Sequence, residues 1–95
     1  MNEGVGPVLR MGAEVDPIVA AIREDNPDRE IEVTDRGAYV RVQGRHSLRL
    51  TRETVERNLG RTFEMRELES ILSAFSGRIS TTSDVVTWEY ARRGS

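Results

Sequence analysis

Residues 59–79 read Leu-Gly-Arg-Thr-Phe-Glu-Met-Arg-Glu-Leu-Glu-Ser-Ile-Leu-Ser-Ala-Phe-Ser-Gly-Arg-Ile. This is an amphipathic pattern with candidate capping residues at both ends. Gly60 ends the preceding segment, Thr62 suits a helix N-cap, and Gly77 suits the C′ position. Apolar side chains between these signals recur at the spacing of one helical face: Met65, Leu68, Ile71, Leu72 and Phe75. The stretch therefore predicts one amphipathic helix whose apolar face packs on the core.

The opposite face of this predicted helix carries small side chains. At about 100° per residue, four of them line up with Arg66 at the edge: Ser70, Ser73, Ala74 and Gly77. Small residues let another backbone or helix approach closely. Two interpretations stay open at this point. Either the strip is unconstrained or covered by another layer of the same chain, or it is a contact surface for a partner.

Length and composition favour one small domain without thiol chemistry. The chain has 95 residues and no cysteine, which allows one core and excludes disulfides, thiolate metal sites and a cysteine nucleophile. We predict a single domain over residues 1–95, with flexible ends at 1–4 and 92–95. No segment has the length and hydropathy of a membrane span, and the first residues do not resemble a signal peptide, so we expect a cytoplasmic protein.

Charge is unevenly distributed along the chain. Residues 1–35 hold three Arg and nine acidic residues, a net charge of −6, whereas residues 36–61 hold seven Arg and two Glu, a net charge of +5. Residues 62–95 add −1, which gives the total of −2. We interpret the acidic first third and the basic middle as a polar, oriented docking surface rather than a nucleic-acid-binding surface.

Turn and capping residues divide the rest of the chain into short elements. Asp16-Pro17 predicts a helix start with Asp16 as N-cap, Asn26-Pro27 predicts its end, and Thr51 predicts the N-cap of a helix over 52–59. Short or alternating apolar runs predict strands over residues 5–12, 30–33, 38–42, 47–50, around 79, and 85–90. Pro7 in the first of them predicts a position at a sheet edge or at the start of a strand. The order strand, helix, three strands, two helices, two strands predicts an α+β fold with helices on a mostly antiparallel sheet.

Residue types that catalyse reactions or bind metals do not converge in this sequence. His46 is the one histidine and lies in a predicted hairpin turn, without the further ligands that a metal site needs. Glu67 and Glu69 point about 200° apart on a helix and cannot share a site. Gly4 and Gly6 lack the third glycine of a dinucleotide-binding loop. We therefore predict no catalytic residue and no metal site.

Two other binding functions stay open. Tyr39, Arg41 and Arg49 are predicted to share one sheet face, where an aromatic ring and two guanidinium groups can stack on bases and bind phosphates. Against this, the predicted sheet holds a single aromatic residue and the domain is acidic. A small-molecule sensor of α+β type is the other alternative, with only the glycines of residues 5–12 as a candidate loop.

Several short motifs occur together in the order and spacing of one protein family. They are Val5-Gly-Pro-Val-Leu-Arg-Met-Gly12, Val15-x-Pro17, Asp25-Asn-Pro27, Glu30-Ile-x-Val33-x-Asp-Arg36-x-Ala-Tyr-Val-Arg41, Leu50-Thr-Arg52, Leu59-Gly-Arg-x-Phe-x-Met-x-Glu-Leu-Glu69 and Leu72-x-x-Phe75-x-Gly77-x-Ile79. Over residues 5–90 the chain resembles the small effector (coupling or regulatory) proteins of bacterial multicomponent diiron monooxygenases, the MmoB/DmpM-type family. It is most similar to the toluene and aromatic-hydrocarbon branch. Departures at residues 43–47 and in the last strand leave the hydrocarbon substrate open.

The resemblance implies a protein without catalysis or cofactor of its own. It implies a 1:1 complex with the α-subunit of a diiron hydroxylase, over the helices that carry the iron ligands, and control of substrate access, electron delivery and oxygen activation. It implies no nucleic acid, membrane or small-molecule ligand. Helices on the partner need a flat surface opposite them, so we expect two parts of the chain to contact the hydroxylase. They are the strip Ser70, Ser73, Ala74 and Gly77 with Arg66, and the backbone of Val5, Gly6 and Pro7.

Overall fold

The structure, a computed structural model, describes residues 4–90. Its elements in chain order are β1 (Gly4–Arg10), α1 (Val15–Asp25), β2 (Glu32–Asp35), β3 (Tyr39–Arg45), β4 (Ser47–Thr51), α2 (Arg52–Leu59), α3 (Met65–Ile71), β5 (Leu72–Ser76), β6 (Arg78–Thr81) and β7 (Val85–Glu89). The flexible ends predicted at 1–4 and 92–95 lie outside the described residues, apart from Gly4, which begins β1. The α+β class is confirmed, with one strand more than the sequence pattern indicates.

The strands form two antiparallel sheets, whereas the pattern predicts a single one. A four-stranded sheet has the order β2-β3-β1-β5, and a three-stranded sheet has the order β4-β7-β6. The chain crosses from the first sheet to the second at His46, whose backbone has a φ of 73°. β3 and β4 are therefore consecutive in the chain but belong to different sheets.

The predicted helix over residues 59–79 is the largest difference from the sequence pattern. α3 ends at Ile71, and residues 72–76 form β5. β5 pairs with β1 through Gly6↔Ser76, Pro7↔Phe75, Val8↔Ala74 and Leu9↔Leu72. The long helix is therefore wrong in its second half, which is a strand.

Completion of the four-stranded sheet explains why α3 stops after seven residues. The Val5 and Leu9 side chains are buried, so β1 lies inside the fold and both of its edges need backbone partners. β3 satisfies one edge and β5 the other. A helix of this length has little stability of its own, so pairing with β1 outweighs the helical pattern of residues 72–76. The prediction that Pro7 marks a sheet edge or the start of a strand is wrong, because β1 begins at Gly4 and has a strand on each side.

Capping chemistry sets the ends of α1 and α2 largely as predicted. The Thr51 side chain accepts a hydrogen bond from the Thr54 N–H at 3.3 Å, and Gly60 ends α2 with a φ of 76°. α1 stops before Asn26, as predicted. Its start differs, because Asp16 lies in the first turn, where a negative charge favours the helix N-terminus, and Glu14 is the N-cap.

α3 begins two residues later than the position that a Thr62 cap would set. Glu64 is its N-cap, and the Glu64 N–H donates a hydrogen bond to Glu67 Oε2 at 2.9 Å. Gly77 lies outside this helix, in the turn between β5 and β6, with a φ of 94°. The predicted capping roles of Thr62 and Gly77 are therefore wrong.

One apolar core joins both sheets and all three helices. Its buried side chains are Val5, Leu9, Val15, Ile18, Ala21, Ile22, Val40, Val42, Leu48, Leu50, Val55, Phe63, Met65, Leu68, Val86 and Trp88. Two residues predicted for the core are instead exposed, Val33 at 36% and Phe75 at 43%. They lie on β2 and β5, the two outer strands of the four-stranded sheet, where one side of the strand has no neighbouring strand within residues 4–90.

The Asp25-Asn26 pair joins the end of α1 to β4. The Asn26 side chain donates to the Arg49 carbonyl at 2.7 Å, accepts from the Arg49 N–H at 3.0 Å and donates to the Ile22 carbonyl at 2.6 Å. Asp25 Oδ2 accepts from the Thr51 N–H at 2.8 Å. Because β4 is an outer strand of its sheet, these two side chains supply the partners that a further strand would otherwise supply.

The acidic first third and the basic middle of the sequence pair with each other across α1 and α2. Arg57 lies 2.8 Å from Glu24, and Arg61 lies 4.0 Å from Glu14. Such exposed pairs contribute little stability each. Part of the uneven charge along the chain is therefore used in contacts within the fold.

Replacement of Asn26 tests the joint between α1 and β4. Asn26→Ala removes three hydrogen bonds and leaves backbone groups of Arg49 without partners, so we expect a loss of about 2–3 kcal/mol in the free energy of unfolding. Urea denaturation followed by circular dichroism measures this loss. Asp28→Ala, at an exposed position of the same loop, is the control and should stay within about 0.5 kcal/mol of the wild type. Equal stability of the two variants would contradict the assigned role of Asn26.

Candidate partner-binding surface

Titratable side chains within residues 4–90 do not assemble into a metal site. No group of three or more His, Asp or Glu side chains in this range converges where it could hold a metal ion. The pKa of Glu24 is lowered by its hydrogen bond with Arg57, and that same contact raises the pKa of Arg57. Both groups lie on the surface as an ion pair, which indicates a structural role. None of the helices in the described range is long and apolar enough to cross a membrane.

Two surface grooves are lined mainly by polar and charged side chains. One, of about 490 Å³, lies beside Asp28, Arg29 and Arg49. The other, of about 420 Å³, lies beside Arg52 and Glu64. Small-molecule sites are usually lined by apolar and aromatic side chains. Neither groove therefore supports the ligand-sensing alternative.

The predicted backbone contact at Val5, Gly6 and Pro7 lies inside the fold. All three residues are buried, and β1 has β3 on one side and β5 on the other. A Cβ atom at Gly6 would overlap the carbonyl oxygen of Val42. This segment forms the centre of the four-stranded sheet, so the prediction that it offers an open strand edge is wrong. The contact of residues 5–7 with the hydroxylase stays a prediction, although the side chains of Val5 and Pro7 are buried and cannot touch a partner.

The small residues predicted for one helix face are divided between two elements but remain exposed. Ser70 lies on α3, and Ser73 and Ala74 lie on β5. Phe75, the next residue, is 43% exposed. We call Ser70, Ser73, Ala74 and Phe75 the β5 surface. It is uncharged, and Arg66 on the first turn of α3 is exposed in the same segment of the chain.

Gly77 has a structural reason to be glycine. A Cβ atom at this position would lie 2.7 Å from the Glu89 carbonyl oxygen and 2.8 Å from Val5 Cγ1. Its φ of 94° is also a conformation that other residues rarely adopt. Gly77 therefore makes the turn from β5 to β6 possible, and this role is sufficient to explain it without a partner.

The face of the four-stranded sheet that points away from the core includes Ala74 of the β5 surface, whereas Phe75, which lies opposite the buried Pro7, points to the other face. Strand register aligns one row of residues across all four strands: Thr34, Arg41, Val8 and Ala74. Arg10 and Tyr39 form the next pair on β1 and β3. Tyr39 is 45% exposed, and neither Arg10 nor Arg41 forms an ion pair with any residue in the range 4–90. We call Arg10, Tyr39 and Arg41 the basic face.

Arg49 does not join the basic face. It lies on β4, in the three-stranded sheet, so the predicted grouping of Tyr39, Arg41 and Arg49 on one sheet face is wrong. The physical reason is the change of sheet at His46, which alternation along the sequence cannot show. A nucleic-acid-binding face built on these residues would lose one of its two guanidinium groups.

Residues 3–89 match the MmoB/DmpM family. The chain belongs to the MmoB/DmpM family. One relative, the effector subunit of the alkene monooxygenase system of Xanthobacter autotrophicus (strain ATCC BAA-1158 / Py2), is 41% identical over 86 residues, which cover 90% of this chain and 85% of the relative. Another, the stimulatory component DmpM of phenol 2-monooxygenase from Pseudomonas sp. (strain CF600), is 31% identical over 74 residues, which cover 76% of this chain and 80% of the relative.

Solved MmoB/DmpM-type structures share the fold. A chain of a phenol hydroxylase–regulatory protein complex has a TM-score of 0.81 at 26% identity, over 93% of this chain and 99% of that chain. A second structure of such a complex gives 0.74 at 28% identity, over 92% and 99%. Regulatory protein B of soluble methane monooxygenase gives 0.71 at 20% identity, over 99% of this chain and 70% of that chain, which shows a common fold. The family resemblance of the motifs is confirmed, and the toluene and aromatic branch stays a prediction.

Several MmoB/DmpM-like motifs lie at structural joints. Asp25-Asn26 binds the backbone of β4, Gly6 lies against the Val42 carbonyl, and Gly77 lies against Val5. Each of these positions is explained by a close backbone contact or a buried hydrogen bond. Part of the family resemblance therefore encodes the fold rather than the contact with a partner.

Sequence reasoning missed Phe63, which is 1% exposed and whose N–H donates to Glu56 Oε2 at 2.9 Å. Phe63 directly precedes the N-cap of α3 and lies five positions before Leu68. This is the spacing of a hydrophobic staple, in which the residue before the N-cap packs on the fourth helical residue. The sequence contains this spacing, but it indicates a staple only when Glu64, and not Thr62, is taken as the N-cap.

A pair of alanine substitutions tests where α3 ends. Leu68→Ala removes a fully packed side chain and should cost about 2–5 kcal/mol in the free energy of unfolding. Phe75→Ala removes a larger side chain, but from an exposed strand position, so we expect a smaller loss than for Leu68→Ala. Urea denaturation of both variants decides the point. A Phe75→Ala loss as large as that of Leu68→Ala would favour a helix with Phe75 in the core.

The acid stability of α3 depends on Glu67. The Glu64 N–H hydrogen bond, with Arg61 nearby, lowers the pKa of the Glu67 carboxyl from its usual 4.5. The stabilisation is therefore fully present above the unfolded-state pKa and is lost as pH falls through the lower folded-state pKa. Thermal melts should show that the Tm advantage of the wild type over Glu67→Gln shrinks between about pH 5 and about pH 3. A constant advantage across that range would contradict the assignment.

Proposed function

We propose that this protein is the non-catalytic effector subunit of a multicomponent monooxygenase and binds the diiron hydroxylase of that system. The observation that carries the proposal is membership of the MmoB/DmpM family over residues 3–89. It is supported by 41% identity to an alkene monooxygenase effector subunit and by similar chains in phenol hydroxylase–regulatory protein complexes. A cytoplasmic location is part of the same proposal, as is a hydrocarbon substrate that binds the hydroxylase rather than this chain.

An effector of this kind changes the rate by binding one state of its partner better than another. Each 1.4 kcal/mol of preference shifts the partner's equilibrium about tenfold. The effector therefore needs no reactive group, only a surface that fits the active arrangement of the hydroxylase. Coupling of electron delivery and oxygen activation to hydroxylation follows if that arrangement is the one that admits substrate.

The β5 surface and the adjoining basic face are the surface that we assign to the hydroxylase. Ala74 links them, because it lies beside Val8 and Arg41 in the same row of the sheet. Small side chains at Ser73 and Ala74 allow the partner to approach closely, and Phe75, on the opposite face at the open edge of β5, offers an exposed aromatic ring. Arg10 and Arg41 supply positive charge that favours an acidic rim on the partner and raises the association rate.

Reconstitution of the monooxygenase tests the function. Hydroxylase and electron-transfer components purified from the native host should form product faster, and release less hydrogen peroxide, when this protein is added up to one equivalent. Unchanged product formation and peroxide release at saturation would contradict the proposal. Salt-sensitive retardation of single-stranded nucleic acid, with no effect on turnover, would instead favour the nucleic-acid-binding alternative.

A matched pair of substitutions tests the assigned surface. Ala74→Trp places a bulky ring on the β5 surface, so we expect at least about a tenfold weaker stimulation of turnover with little change in Tm. Ser80→Trp makes a similar change at an exposed position of β6, in the three-stranded sheet, and should stimulate like the wild type. The assignment fails if a folded Ala74→Trp variant stimulates as well as Ser80→Trp.

A further inference from the structure

β5 has one open edge. It pairs with β1 on one side and has no strand on the other side within residues 4–90. An outer strand offers unpaired N–H and C=O groups, which another extended chain can bind. Two properties of β5 decide whether a further strand can bind there: the backbone groups that point outward, and the charged or proline residues that would hinder pairing.

Pro7 determines which backbone groups of β5 point outward. In an antiparallel pair, opposed residues alternate between those that exchange two hydrogen bonds and those that exchange none. Pro7 has no N–H and lies opposite Phe75, so this pair cannot be of the hydrogen-bonded type. The bonds to β1 must then come from Ala74 and Ser76, which lie opposite Val8 and Gly6. It follows that the N–H and C=O of Phe75 point away from β1, toward the open edge.

The open edge carries none of the charges that usually protect outer strands. No Lys, Arg, Asp, Glu or Pro occurs between Glu69 and Arg78, and such residues are the common protection against strand addition. The pairing register shifts between Val8 and Leu9, which leaves Ser73 as a bulge. This bulge limits the regular part of the edge to residues 74–76.

We infer that the edge of β5 binds an extended segment of the hydroxylase as an additional antiparallel or parallel strand, through the Phe75 N–H and C=O. The inference rests on the proposed function and specifies its contact. Only an extended polypeptide offers a donor and an acceptor at the spacing of a strand. The uncharged edge selects a segment with small or apolar side chains facing it, because a charged group there would be desolvated without a partner.

The hydroxylase is the occupant that the surroundings of the edge favour. The Phe75 edge is continuous with Ala74, which lies in one row with the positively charged Arg41. A second copy of this chain would instead bring two basic faces onto one continuous sheet. Like charges on adjoining surfaces disfavour that arrangement. Chains similar to this one occur in phenol hydroxylase–regulatory protein complexes, which favours the hydroxylase as the occupant.

Two substitutions at one position isolate the backbone contact. Phe75→Ala and Phe75→Pro both remove the ring, but only Phe75→Pro removes the outward N–H, and proline is tolerated on outer strands. We expect Phe75→Pro to bind purified hydroxylase about tenfold or more weakly than Phe75→Ala, as measured by calorimetry, because a buried acceptor on the partner loses its donor. Equal affinity of the two folded variants, with stimulation by the wild type intact, would overturn strand addition and leave the proposed function standing.

Amide hydrogen exchange of the wild type gives a readout that does not depend on how the variants fold. The Phe75 N–H should exchange rapidly in the free protein and become protected when saturating hydroxylase is added. An unprotected Phe75 N–H in the saturated complex would overturn the inference. Protection that instead rises with the concentration of this protein alone, together with a dimer mass in light scattering, would overturn it in favour of a second copy as the occupant.

Discussion

The pairing of β1 on both sides is the interaction on which the rest of the structure depends. β3 and β5 bind its two edges, and its Val5 and Leu9 side chains enter the core. This arrangement ends α3 early, because residues 72–76 are needed as a strand. It also requires a sharp turn at Gly77, so that the chain can leave the four-stranded sheet and begin β6 in the other one.

The contacts that stabilise this small domain and the surface that we propose for the partner lie in different parts of it. The Asp25-Asn26 hydrogen bonds hold α1 to the three-stranded sheet, and an exposed ion pair between Glu24 and Arg57 joins α1 to α2. The basic face and, apart from Ser70 on α3, the β5 surface lie on the four-stranded sheet and carry exposed side chains that the core does not need. A protein without reactive groups can therefore present a contact surface whose substitution costs little folding energy. This separation suits a subunit that acts only through binding.

Local chemistry was readable from the sequence, and contacts between distant segments were not. Thr51 and Gly60 cap α2 as predicted, and the Asp35 side chain accepts the Gly37 N–H at 2.8 Å in the predicted turn. Residues 72–76 continue a helical spacing, and only β1, more than sixty positions earlier in the chain, makes them a strand. Ser73 and Ala74 are exposed as predicted, but on an outer strand and not on a helix. The sequence did not distinguish the two, since a small residue can be exposed on either.

Strand geometry gives an effector a simple way to distinguish two arrangements of its partner. Side chains on a helix face can slide or change rotamer and keep most of their contacts, but backbone hydrogen bonds need donors and acceptors at a fixed spacing and direction. A segment that meets the Phe75 edge in one arrangement of the hydroxylase loses those bonds when it moves by a fraction of the strand repeat. Because one such bond is worth about 1 kcal/mol net and more when its acceptor is buried, a few bonds made in one state only are enough to shift the hydroxylase equilibrium. The outward N–H and C=O of Phe75, which pairing with β1 leaves unused, are thus the groups through which we propose that the effector acts.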